Sequence, residues 1–202
     1  MMLYNSMSPN GFRVSAFLAE KEIEVPITEI NIMEGETRKP DHLARNSLGE
    51  VPVLELDDGT FLPESVAICR YFEDLYPEPA LFGETAQEKA LVEMWNRRME
   101  RHIMDSTGDV ALHEFPIFAD KIEQSGDYAT IQRRQFAKNL GWFDSELSDG
   151  REFVAGDKYS VADITATAAL IICQYMEHEV SSEFSNVKRW QDRMQSRKTW
   201  PF

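Results

Sequence analysis

Residues 46–68 read Asn46-Ser47-Leu48-Gly49-Glu50-Val51-Pro52-Val53-Leu54-Glu55-Leu56-Asp57-Asp58-Gly59-Thr60-Phe61-Leu62-Pro63-Glu64-Ser65-Val66-Ala67-Ile68. The apolar run from Val51 to Leu56 has a proline at its second position, and proline has no N–H to give to a strand ladder. A strand that begins this way cannot donate a ladder hydrogen bond from that residue. Asp58-Gly59 supplies a tight turn, and Thr60-Phe61-Leu62 returns as the second strand of a hairpin. Pro63-Glu64-Ser65 then opens a helix whose Val66, Ile68, Cys69, Phe72 and Leu75 share one apolar face. Ser65 suits the start of a helix, and the free N–H groups there attract an anion. A stiff edge strand and a plain helix cap are the structural readings of the same residues.

Outward from this stretch, strand and helix signals alternate. Met2-Leu3-Tyr4 is a short apolar run that stops at the turn-rich Asn5–Gly11. Tyr4 is expected in the core. Phe12, Val14, Ala16, Phe17, Leu18 and Ala19 then recur at helical spacing. Val25–Ile32 alternates with period two and predicts a half-buried strand. Pro40 opens a short helix over residues 39–46. The order is β-α-β-α-β-β-α. Tyr76-Pro77-Glu78-Pro79-Ala80-Leu81-Phe82-Gly83 breaks this pattern. We expect an α/β domain over 1–78, a linker over 79–86 and an all-helical domain over 87–202. Thr85 and Glu88 have capping-box spacing before a long helix reaching about Leu112. Further helices are expected at about 128–147, 164–176 and 187–197, and Ser160 and Asp163 form a second capping box with a structural role.

The chain has 202 residues, 43% of them hydrophobic, which suffices for two cores. Its net charge of −14 repels phosphate backbones and anionic lipid, so neither nucleic acid nor a membrane surface is an expected partner. No signal peptide and no span of about 18 apolar residues is visible. Cys69 and Cys173 lie in apolar helical stretches without a CxxC pattern. They predict buried thiols in a reducing compartment rather than a metal site.

Four segments, in this order and spacing, carry a likeness: Leu3-Tyr4 with Ser8-Pro9-Asn10-Gly11-Phe12-Arg13-Val14; Asn46 to Leu54; Leu62 to Ile68; and Phe153-Val154-Ala155-Gly156-Asp157-Lys158-Tyr159-Ser160-Val161-Ala162-Asp163-Ile164. Over nearly its whole length the chain resembles the glutathione transferase superfamily. The helix Val92–Glu100 is similar to a bacterial and fungal subgroup. The resemblance implies a thioredoxin-like N-terminal domain, an all-α helical-bundle C-terminal domain, a cytoplasmic homodimer, a detoxification role, and glutathione as co-substrate without metal or prosthetic group.

It also implies roles for particular residues. Pro52 is expected in cis. Val51 before it is expected to present its N–H and C=O to the cysteinyl unit of glutathione, as an added strand would. Glu64 and Ser65 are expected to bind the amino and carboxylate groups of the γ-glutamyl end. Lys39, with Arg38 near, suits the glycyl carboxylate; His42 is the other candidate. A free thiol with a pKa near 8.5 is mostly protonated at neutral pH. The Ser8 hydroxyl and the helix start after it suit stabilisation of the thiolate. Ser6 and Asn10 lie close enough to be rivals for the task, and a simple turn residue is the structural reading of Ser8. In some members of the subgroup a water held by a histidine and a serine takes this part, which points, after Ser8, to His113 with Ser106 or Ser125. Met99, Ile103, Met104, Val110, Phe115 and Phe118 are candidates for an apolar pocket wall or for core. The expected reaction is conjugation of glutathione to a small hydrophobic electrophile. Glutathione-dependent isomerisation, peroxide reduction and a non-catalytic binding or regulatory role are the alternatives.

Overall fold

A computed structural model describes residues 1–119, 121–175 and 180–199. The chain divides into two compact units, Met1–Ala80 and Leu81–Trp200. The first unit is thioredoxin-like: β1 (Met2–Asn5), α1 (Pro9–Glu20), β2 (Ile27–Glu29), α2 (Pro40–Arg45), β3 (Val53–Glu55), β4 (Phe61–Pro63) and α3 (Ser65–Leu75). The sheet order is β2-β1-β3-β4, with β1 parallel to β2 and the other pairs antiparallel, so the strand after Pro52 is interior and not the stiff edge strand of the structural reading.

Strand register decides which side chains enter the core. Leu3 pairs with Leu54, Leu54 pairs with Leu62, and Leu3 and Leu54 are fully buried with Val14, Phe17, Ile68, Cys69 and Phe72. Because strand side chains alternate faces, Tyr4 lies on the side opposite Leu3. It is not core: its hydroxyl donates to Glu55 Oε2 at 2.8 Å and Arg45 covers its ring. The expected strand over Val25–Ile32 is shorter than its pattern and exposed throughout, because it is the sheet edge; only Ile30, just beyond it, is buried. Val51–Pro52 is cis, as the resemblance implies. The Lys21 ammonium is buried against Glu73 at 2.7 Å and donates to the carbonyls of Tyr76 and Pro79, which fixes the end of the unit.

The second unit is helical: α4 (Ala86–Arg98), α5 (Asp105–Glu114), α6 (Gly126–Glu146), α7 (Val161–Tyr175) and α8 (Ser185–Gln195). The expected end of α7 at Met176 lies outside the described residues. Leu81 and Phe82 are buried, and the Leu81 carbonyl accepts from the Val161 N–H. The long helix expected from Thr85 to Leu112 is interrupted by a π-helical turn, Met99–Met104. That wider turn loosens the backbone ladder, and side chains take up the carbonyls. Ser106 Oγ donates to His102 O, Thr107 Oγ1 donates to Ile103 O, and Asn139 Nδ2 donates to His102 O. Met99, Ile103 and Val110 are fully buried in the helical core, so of the two readings given to them the core one holds. Among the described residues no helix is long and apolar enough to cross a membrane.

The Thr85–Glu88 capping box forms as expected. Thr85 Oγ1 accepts from Glu88 N, and the Glu88 carboxylate accepts from the Thr85 and Glu84 N–H groups and pairs with Lys158. The backbone donors are the main cause that holds the Glu88 carboxyl down at about 2, against an ordinary 4.5. A depressed carboxylate stabilises the fold above its unfolded pKa and loses that effect as pH falls through the folded one. A Glu88→Gln variant should therefore have a lower urea midpoint than the parent at pH 7. The gap should close as pH falls from 4.5 towards 2.

Candidate functional site

The site is assembled around the start of two helices and one loop of the first unit. Ser8 is the N-cap of α1, with Pro9 in the first turn, and its Oγ accepts from Gly11 N at 3.1 Å. The hydroxyl proton of Ser8 is donated to no described residue, so cap duty leaves it available. Gly11 has to be glycine: a Cβ there would lie 2.1 Å from the Ser6 carbonyl oxygen. The side chains of Asn10, Arg13 and Ser65 meet. Arg13 Nη1 donates to Ser65 Oγ at 2.7 Å and to Asn10 Oδ1 at 3.3 Å, and Ser65 Oγ donates to Asn10 Oδ1 at 3.2 Å. Arg13 is 2% exposed, so its charge stands in a dry seam directly behind the start of α3. There the Coulomb term is larger than in water.

Ser65 begins α3, and the residue before it makes no side-chain cap. Glu64 is exposed and has φ 72°, a left-handed backbone that a side chain resists. Such a conformation costs about 1–3 kcal/mol and clusters at ligand sites. The first N–H groups of α3 thus keep their partial positive charge beside Ser65 and in front of Arg13. Val51 supplies the other half. Among the described residues no hydrogen bond reaches its backbone N–H or C=O, although the residue is buried. An extended ligand strand could pair with both of these backbone groups.

The remaining candidates fall elsewhere. The Lys39 ammonium is paired with Glu36 at 2.9 Å, and that partner raises the Lys39 pKa and depresses the Glu36 carboxyl. Arg38 Nη1 donates to Leu48 O at 2.9 Å, on the loop that leads to Val51. His42 is corrected as a candidate for the glycyl carboxylate: it is 1% exposed and its Nε2 lies 3.0 Å from Glu50 O, so it faces into the domain. In the second unit, His113 Nδ1 accepts from Ser125 N at 3.0 Å, and its ring stands edge-on to Tyr128. Ser106 is committed to helix carbonyls. Cys69 is buried, and desolvation pushes its thiol up to about 12, so it is no nucleophile.

A family model, glutathione S-transferase N-terminal domain, matches residues 7–75, and the C-terminal domain model of the same family matches residues 104–198. Glutathione S-transferase 2 of Saccharomyces cerevisiae is 37% identical over 202 residues, covering 98% of this chain and 86% of that protein. The chain belongs to the glutathione S-transferase family. The crystal structure of Gtt2 from the same yeast superposes with a TM-score of 0.93 at 36% identity, over 98% of each chain. A maleylacetoacetate isomerase of Pseudomonas aeruginosa is 38% identical over 85 residues, which is 41% of this chain and 40% of that protein. Glutathione S-transferases are transferases that take glutathione as co-substrate.

Sequence reading missed that Arg13 joins Asn10 and Ser65 in the candidate site. Its helical phase relative to Val14 and Phe17 points it inward, and a buried arginine needs partners of the kind that Asn10 and Ser65 provide. That signal was present but is not distinctive in a single sequence.

Proposed function

We propose that this chain conjugates the glutathione thiolate to small apolar electrophiles. The observation that carries this reading is the unsatisfied Val51 peptide unit in the same domain as an uncapped helix start backed by buried Arg13. Residues 1–78 hold glutathione, with the γ-glutamyl carboxylate on Ser65 and the α3 N–H groups and the ammonium on Glu64. The cysteinyl main chain lies on Val51 beside Pro52, while Asn10 keeps the Ser65 hydroxyl in place. Lys39 takes the glycyl carboxylate by leaving Glu36. Residues 87–202, after a linker over 79–86, contribute to binding the electrophile. The protein works as a cytoplasmic homodimer in detoxification.

Ser8 carries the thiol chemistry. Its hydroxyl donates to the sulfur, and the positive end of α1 adds to the stabilisation of the thiolate. The protein thereby lowers the pKa of the thiol and holds both reactants together. His113 ranks second. With Nδ1 occupied as an acceptor from Ser125 N, Nε2 is the ring nitrogen left to donate.

A second reading, isomerisation of an unsaturated acid through a transient glutathione adduct, is favoured by the isomerase relative. The test is retention on immobilised glutathione, followed by conjugation of glutathione to an aryl halide and by a cis-to-trans double-bond assay. Retention with conjugation is expected. Isomerisation alone would favour the second reading, and retention without any turnover a binding protein. Passage straight through the column would remove the basis of all three.

A further inference from the structure

The Glu50 carbonyl lies on an exposed residue, yet two buried side chains are spent on it. His42 Nε2 is 3.0 Å from Glu50 O, and Asn46 Nδ2 donates to the same oxygen at 3.0 Å. Both side chains come from α2 and its end, and both are buried. A carbonyl cannot donate, so the proton sits on Nε2 of His42, and Nδ1 is left buried with no hydrogen-bond partner among the described residues. The carbonyl's two lone pairs are therefore both occupied from one side.

The consequence falls on the next residue. The cis peptides are Val51–Pro52 and Glu78–Pro79, so Glu50–Val51 is trans. In a planar trans peptide the C=O and the following N–H point in opposite directions. Holding the Glu50 oxygen against α2 therefore aims the Val51 N–H away from α2 and out of the loop. The loop has reason to need this. Gly49 has φ +65° and permits rotations that other residues resist. Asn46 Oδ1 accepts from Leu48 N, Asn46 O accepts from Gly49 N, and Arg38 ties Leu48 O, so the residues before Glu50 are tied in the same direction.

We propose that His42 and Asn46 are positioning residues for glutathione: they never touch the tripeptide, but by holding Glu50 O they keep the Val51 N–H aimed at its cysteinyl carbonyl. This rests on the proposed use of Val51 as the peptide clamp. Loss of the clamp lets the Glu50–Val51 peptide rotate, which weakens binding of glutathione without changing the environment of its sulfur.

The variants His42→Phe, which fills the space without a donor, and His42→Gln, which restores an N–H at similar reach, separate this from packing. Three quantities are read for each: the glutathione dissociation constant by calorimetry, kcat at saturating glutathione, and the pH profile of the rate. His42→Phe should weaken glutathione about fivefold with kcat and the pH profile unchanged, as loss of one hydrogen bond predicts. His42→Gln should return most of the affinity. If His42→Phe does not fold, Asn46→Ser, which removes the other donor, should weaken binding two- to fivefold with the same unchanged kcat. Parent-like affinity in the folded variants while the parent binds glutathione and shifts its Val51 amide resonance would overturn the positioning role alone. A parent that neither binds glutathione nor shifts that resonance would instead overturn the reading of the site.

Discussion

Replacing Asp163 by alanine is expected to destabilise the helical unit by about 3–5 kcal/mol, the range seen when one partner of a buried charged network is removed. Asp163 is fully buried. Its Oδ1 accepts from Val154 N at 2.8 Å and Trp190 Nε1 at 2.9 Å, and its Oδ2 accepts from Ser160 N at 3.0 Å and Ser160 Oγ at 3.1 Å. One carboxylate thus joins the loop before α7, the start of α7 and the inner face of α8. Alanine strands all four donors in a dry core, where each unsatisfied donor is costly. The four tryptophans of the chain, Trp95, Trp142, Trp190 and Trp200, all follow residue 81, so urea unfolding read by tryptophan fluorescence reports on this unit. The same carboxyl makes a pH prediction. Burial is the larger influence and pushes it up to about 6 against the pull of its four donors. A raised carboxyl contributes most below its unfolded value of 3.8, and that contribution is lost as pH rises through about 6. An Asp163→Asn variant, though less stable throughout, should lack this part of the decline between pH 4 and 7.

Replacing Ser8 by alanine is expected to lower kcat/KM for conjugation by about 10- to 100-fold. A hydrogen bond to a charged group contributes roughly 1.5–3 kcal/mol, and each 1.4 kcal/mol is tenfold in rate. Two other signatures should accompany the loss. The pH profile of kcat/KM should move to higher pH, because the thiolate loses a donor. Stability should fall by only about 1 kcal/mol, because Ser8 also caps α1 through Gly11 N. His113→Ala should leave the pH profile in place. The reverse pattern, an unmoved Ser8→Ala and an alkaline shift for His113→Ala, would assign thiol activation to His113.

The parts of this protein that were legible in the sequence are those where local chemistry and global fold agree. Asp58-Gly59 sets the hairpin, Pro9 and Pro40 open helices, Thr85-Glu88 closes a capping box, and the Asp163 carboxylate reaches back to the Ser160 N–H and hydroxyl, because each acts over three or four residues. The cis Val51–Pro52 bond, the helix start at Ser65 and the place of Ser8 just before a helix were likewise readable from motif order. The misses share a cause of a different kind. Tyr4 was placed in the core because a short apolar run gives no phase until the register against β3 is known. The π-helical turn at Met99–Met104 has no glycine or proline to announce it; its signal is Ser106 and Thr107, whose hydroxyls can catch loosened carbonyls. His42 ranked as the weaker candidate beside Lys39 because its inward direction depends on where the Glu50 carbonyl lies, eight residues on. Arg13 reaches Ser65 across 52 residues, a distance no periodicity reports.

The most direct measurement is a crystal structure of the protein with S-methylglutathione bound. The account predicts the cysteinyl N–H and C=O paired with the Val51 C=O and N–H, and the γ-glutamyl carboxylate at Ser65 Oγ and the first N–H groups of α3. The sulfur should then lie within hydrogen-bond reach of Ser8. A tripeptide held anywhere else on the chain, with Val51 and the α3 start left uncovered, would contradict it.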